Sequence, residues 1–174
     1  MEHRLADGVG RVLFDFAQPQ ALTGWRESSD AMLGGRSWAR LVAHEAGRSA
    51  LFTGSLEPGE AGGFAAVRSP ALRLDLTPYT GIKLHARGDG RRYGLTLSCR
   101  KHTGILYQLH FELPPHIWTV LELPFRGLEA TMLGSVLPLA PEPDLSFVTA
   151  LGLMISGQET GSFCLEVAQI AAYL

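Results

Sequence analysis

Lysine is almost missing from this chain: only Lys83 and Lys101 occur in 174 residues. The 15 basic residues are outnumbered by 17 acidic ones, for a formal net charge of −2. A phosphate backbone is held by clustered Lys and Arg, so nucleic acid is not an expected partner. The positive charge that is present is nearly all guanidinium, which suits fixed bidentate pairing better than diffuse steering. Cysteine is equally scarce. Cys99 and Cys164 sit in separate strand-like runs with no C-x-x-C or zinc spacing, so two reduced thiols are expected rather than a disulfide. Residues 1–20 carry Arg4, Asp7, Arg11 and Asp15 and no continuous apolar core, so no signal peptide is expected. No run approaches the ~18 apolar residues that span a bilayer. These absences point to a cytoplasmic protein, or one peripheral to an inner membrane.

What the chain does have is glycine, proline and period-two alternation. Twenty Gly and ten Pro suit short strands and turns better than long helices. A 46% hydrophobic and 18% charged composition is enough to build one core, so residues 1–174 read as a single domain. Strands are expected over 12–16, 37–44, 49–56, 64–69, 72–76, 81–87, 93–100, 105–112, 118–125, 148–156 and 162–173. Residues 17–35 read as irregular, and 126–146, with Pro138, Pro141 and Pro143, as a long loop. So many short strands at this spacing predict an all-β sandwich.

The middle alternates most cleanly. Ile82, Leu84 and Ala86 face one way, with Lys83, His85 and Arg87 opposite. Tyr93, Leu95, Leu97 and Cys99 are likewise set against Thr96, Ser98 and Arg100. If these strands and the next are neighbours, Lys83, His85, Arg87, Thr96, Ser98, Arg100, Gln108 and His110 cover one polar sheet face. That face is either a binding surface or the solvated outside of an antiparallel sheet.

Asp30, Ser37, Arg68, Arg87 and Asp89 form a second group, beside Gly pairs and a Gly-Asp-Gly turn. They are read either as turn carboxylates bonding backbone N–H groups and pairing with Arg, or as a polar surface for a partner or ligand. Trp25, Trp38 and Trp118 either fill the core or stack on a ligand. The candidate binding set is therefore Trp25, Asp30, Ser37, Arg68, Lys83, His85, Arg87, Asp89, Tyr93, Gln108 and His110. No Gly-x-Ser-x-Gly elbow occurs, and the acidic residues are scattered, so no catalytic residue is expected. His85, His110 and Glu112 lack the spacing of a zinc motif, so neither metal nor cofactor is expected. A structural calcium near Asp15 or Asp30 stays open by analogy to sandwich folds.

Several ordered segments carry a family resemblance. These are Trp25 with Asp30-Ala31-Met32-Leu33-Gly34-Gly35-Arg36-Ser37, Phe52 to Leu56, and Gly62-Gly63-Phe64. Arg87-Gly88-Asp89-Gly90 with Tyr93, Tyr107-Gln108 with Phe111, and Trp118 through Phe125 continue the series. Gly152 and Gly161 through Val167 close it. From about Phe14 to Ile170 the chain resembles the complex I intermediate-associated protein family. Leu33 departs from the pattern, standing where the family more often runs Met directly into the Gly pair. The resemblance implies a galactose-binding-like jelly roll, here as a stand-alone domain. It also implies a non-enzymatic, chaperone-like assembly factor, whose partner is a protein such as a respiratory-complex subunit. A carbohydrate or small-ligand module is the alternative.

Overall fold

The computed structural model describes residues 10–60, 62–132 and 134–174. In chain order the strands are β1 (Gly10–Asp15), β2 (Arg26–Ser29), β3 (Trp38–Ala43), β4 (Ala50–Leu56), β5 (Gly63–Arg68), β6 (Gly81–Arg87) and β7 (Arg92–Cys99). They continue as β8 (Leu106–Glu112), β9 (Thr119–Pro124), β10 (Glu129–Met132), β11 (Ser135–Val136), β12 (Val148–Gly157) and β13 (Gly161–Tyr173). Short 3-10 turns occupy Pro19–Leu22, Asp30–Leu33 and Phe125–Gly127. Two antiparallel sheets result. The first runs β3-β4-β13-β6-β9, with β1 also on β13, and the second runs β11-β10-β8-β7-β12-β5-β2. This is the expected jelly-roll β-sandwich.

Alternation decides which face of each strand is buried. On β6, Ile82, Leu84 and Ala86 are fully buried, while Lys83, His85 and Arg87 are half-buried on the outer face. On β7, Tyr93, Leu95, Leu97 and Cys99 enter the same core from the opposite sheet. Each Leu or Phe buried there stabilises the sandwich by roughly 1.5–3 kcal/mol, so a one-residue slip in either strand is strongly disfavoured. The long β13 keeps its phase by a bulge. Phe163, Leu165 and Val167 face inward, the register shifts between Val167 and Gln169, and Ile170 and Ala172 face inward beyond it.

Four expectations are corrected. The proposed continuous polar face does not exist, because β6 lies in the first sheet and β7 and β8 in the second. Lys83, His85 and Arg87 are thus on one outside of the sandwich, and Thr96, Ser98, Gln108 and His110 on the other. Residues 126–146 are not only loop: β10 pairs with β8 and turns back through β11. Residues 17–35 contain the edge strand β2, paired with β5. Residues 72–76 give a single bridge, Leu74 to Val148, rather than a strand.

Candidate binding faces

Asp30 begins a 3-10 turn and is only 1% exposed. Its Oδ1 accepts the Ser37 N–H at 3.0 Å, and its Oδ2 accepts the Ser37 hydroxyl at 2.7 Å and the Phe64 N–H at 3.2 Å. Ser37 Oγ in turn accepts the Glu57 N–H at 2.8 Å. The two Gly pairs are explained by this carboxylate. A Cβ at Gly35 would stand 2.2 Å from Asp30 Cγ, and one at Gly63 2.6 Å from Asp30 Oδ2. The first glycine of each pair, Gly34 (φ 83°) and Gly62 (φ 90°), has the left-handed backbone that side chains disfavour. One carboxylate therefore stitches three chain segments together, with its oxygens taken by N–H and O–H donors rather than offered to calcium. The additional Leu33 is absorbed outside the cluster, exposed beside Met32.

Asp89 does the same job at the Gly-Asp-Gly turn. It accepts the Arg91 N–H at 3.0 Å, the Tyr93 hydroxyl at 2.9 Å from each oxygen, and the Cys164 N–H at 2.8 Å. Burial, reinforced by the Asp89 charge, pushes the Tyr93 phenol far above its ordinary value. Burial likewise raises Cys164, with Asp89 adding to it, and raises the Cys99 thiol to about 11. Both cysteines are free thiols. Trp25 packs on Phe14 and Phe16 at ring distances of 5.0 and 5.9 Å and donates its Nε1–H to the Ala21 carbonyl. Trp25, Asp30, Ser37, Asp89 and Tyr93 are thus engaged in holding the fold.

The outer face of the first sheet carries Arg87, His85 and Lys83. The expected Asp–Arg pairing is replaced by a different partner: Arg87 Nε and Nη2 donate to Glu166 Oε2 at 3.0 and 2.5 Å. Glu166, 7% exposed, also accepts the Ser49 hydroxyl on Oε1. The β6–β13 register sets Glu166 directly opposite Arg87, so the pair is local to neighbouring strands. Sequence reasoning missed Glu166, although the Phe163, Leu165, Val167 alternation marks it as outward. Lys83 pairs with Glu122 at 3.1 Å.

Trp118 stands over Arg87 and His85. Its ring lies 5.3 Å from the Arg87 guanidinium and 4.9 Å from the His85 ring, yet is 39% exposed. Val120, opposite His85 on edge strand β9, and Ile117 are exposed as well. Trp38, on the other edge strand, is also exposed, with Arg40 at 5.3 Å from its ring. Of the three tryptophans, only Trp25 follows the core reading.

Across the sandwich, the second sheet's outer face bears one continuous row: Glu129, Gln108, Thr96, Gly152, Arg68 and Arg26, each opposite the next. Gln108 Nε2–H donates to Thr131 Oγ1 at 2.9 Å. His110 is 3.8 Å from Glu129, but burial and then the Arg92 charge hold its basicity below the ordinary imidazole value. His85 and His110 lie on opposite faces, so they cannot share a metal. Among the described residues, no group of three His, Cys, Asp or Glu is placed to hold one.

The architecture defines a class first: an antiparallel jelly-roll sandwich of galactose-binding-like type, with one aromatic and one arginine-bearing outer face. A family profile described as "Complex I intermediate-associated protein 30" matches residues 14–167, and the chain belongs to that family. The mitochondrial protein of that name from Drosophila melanogaster is 28% identical over 92% of this chain and 62% of its own length. The Mus musculus protein is 27% identical over 94% of this chain and 56% of its own. The chain thus spans little more than half the length of these relatives. Among solved structures, the family 11 carbohydrate-binding module of the cellulosomal cellulase Lic26A-Cel5E of Clostridium thermocellum matches with TM-score 0.67. It is 15% identical and covers 94% of both chains. The same module in complex with a β-1,3-1,4-mixed-linked tetrasaccharide gives TM-score 0.67 at 16% identity, covering 95% of this chain and 96% of its own. At such identities the likeness concerns the fold.

Proposed function

We propose that this chain is a non-catalytic assembly factor that docks a protein partner during the building of a membrane-bound redox complex, respiratory complex I. The observation that carries the docking surface is Trp118. A large ring is held in place by Arg87 and His85, remains 39% exposed, and is flanked by exposed Ile117 and Val120. Tryptophan and arginine in such a setting are the residue types that dominate protein-interface energetics. The names of the relatives supply the kind of partner, a complex I subunit or intermediate. No helix among the described residues is long and apolar enough to cross a membrane.

Capture of tagged protein from its own cells, in mild-detergent membrane and soluble fractions, tests the reading. The Trp118→Ala variant is expected to lose respiratory-complex subunits that the unmodified chain retains. A second reading, a carbohydrate-binding module, is favoured by the polar row of Glu129, Gln108 and Thr96 on the opposite face. Titration with a sugar panel separates the two: no heat at millimolar sugar removes it.

A further inference from the structure

At the β7–β8 end of the second sheet, the 100–105 connection curls beside the outer face and encloses an open cavity of about 480 Å³. Its floor and walls include Arg68 on β5, Ser98 on β7, Arg100, His102 and Thr103 in the connection, and Thr149 on β12. No carboxylate lines it. Asp144, whose charge interacts with Lys101 and His102, is turned onto Ser146 instead, accepting its hydroxyl at 2.6 Å.

Two further observations show that the positive charge here is unbalanced. Arg68 sits directly opposite Arg26 in the β2–β5 ladder, so two guanidinium side chains share one face. Like charges so placed disfavour the pairing, with Cβ atoms roughly 4.5–5.5 Å apart. Among the described residues, neither arginine has an ion-pair or hydrogen-bonding partner for its guanidinium. Beside Arg68 the row continues through Gly152, where a Cβ would meet Thr96 Oγ1 at 2.5 Å and the Val67 carbonyl oxygen at 2.6 Å. The Thr96 side chain therefore fills the place beside Arg68 that a residue other than glycine would take. Arg100 is steadied from outside by Phe147, with 5.1 Å between guanidinium and ring.

We infer that this cavity is a binding site for a small oxyanion ligand, a phosphate- or carboxylate-bearing molecule held by Arg68 and Arg100. Guanidinium forks pair with such groups bidentately, and Ser98 lies beside them, while the Thr103 and Thr149 hydroxyls donate to the Arg100 and Ser98 carbonyls. The site is independent of the Trp118 face and stands whether or not that face docks a protein.

Calorimetric titration at low ionic strength tests it, using inorganic phosphate, succinate and, as a neutral control, cellobiose. Saturable binding of phosphate or succinate is expected, weakening as salt is added. Arg68→Gln should weaken it roughly tenfold or more, with a melting temperature no lower than that of the unmodified chain, because the substitution removes a like-charge pair with Arg26. Arg100→Gln should weaken it as well, whereas Trp118→Ala should bind as the unmodified chain does. Preference for phosphate or for succinate identifies which anion the ligand carries. Absence of saturable binding to either anion overturns the proposal, as does binding undiminished in both arginine variants or matched by cellobiose.

Discussion

Asp30 and Arg87 show how differently two charged residues of a signature can be used. Asp30→Ala strands the buried Ser37 N–H and the part-buried Phe64 N–H. The cost is roughly 2–5 kcal/mol, read as a fall of about 5–15 °C in melting temperature. Arg87→Ala leaves Glu166 with Ser49 as its remaining side-chain donor. Since the Arg87 side chain is 38% exposed, solvent screens the pair, and a loss of roughly 1–3 kcal/mol in chemical denaturation is expected. Arg87→Ala is therefore a stability variant as much as a binding one, while Trp118→Ala separates the two. The involvement of Asp30 and Asp89 in turns is legible in the sequence from their glycines. Their partners are not: Phe64 lies 34 residues from Asp30 and Cys164 lies 75 from Asp89, contacts that only tertiary packing creates.

At the level of strands, alternation identifies the buried face of β6, β7 and β8 because each shows the core one apolar residue in two. It does not identify neighbours. Residues 81–87 and 93–100 are joined by a short Gly-Asp-Gly turn that reads as a hairpin, yet the turn passes the chain from one sheet to the other. The polar residues on the two strands consequently diverge, and one expected surface becomes two. Short strands such as β2 and β10 are not legible because at four residues each they carry too little alternation to register. Trp118 immediately precedes edge strand β9. Trp118→Ala removes a half-exposed ring without opening the core, so its unfolding free energy should stay within about 1 kcal/mol of the unmodified chain in urea titration.

For the molecule as a whole, the buried thiol and phenol groups give stability a defined pH dependence. Cys99 is raised from 9.0 to about 11 in the folded chain, and Tyr93 is raised as well. A group with a raised folded value keeps its proton while the unfolded chain loses it. The stabilisation is thus complete below the unfolded value and declines above it. Melting temperature should be nearly flat from neutral pH to about 9 and then fall toward 11, less steeply in Cys99→Ala. The two sheets that bury these groups also hold the aromatic and arginine-bearing outer faces on opposite sides of the sandwich, so partner and ligand can be tested separately. Whether Trp118 docks a protein is decided by affinity capture from native membranes with the unmodified chain and Trp118→Ala. Respiratory-complex subunits are expected with the former, and their loss with the latter at an unchanged melting temperature. Equal recovery with both, or no specific protein with either, would contradict docking by Trp118.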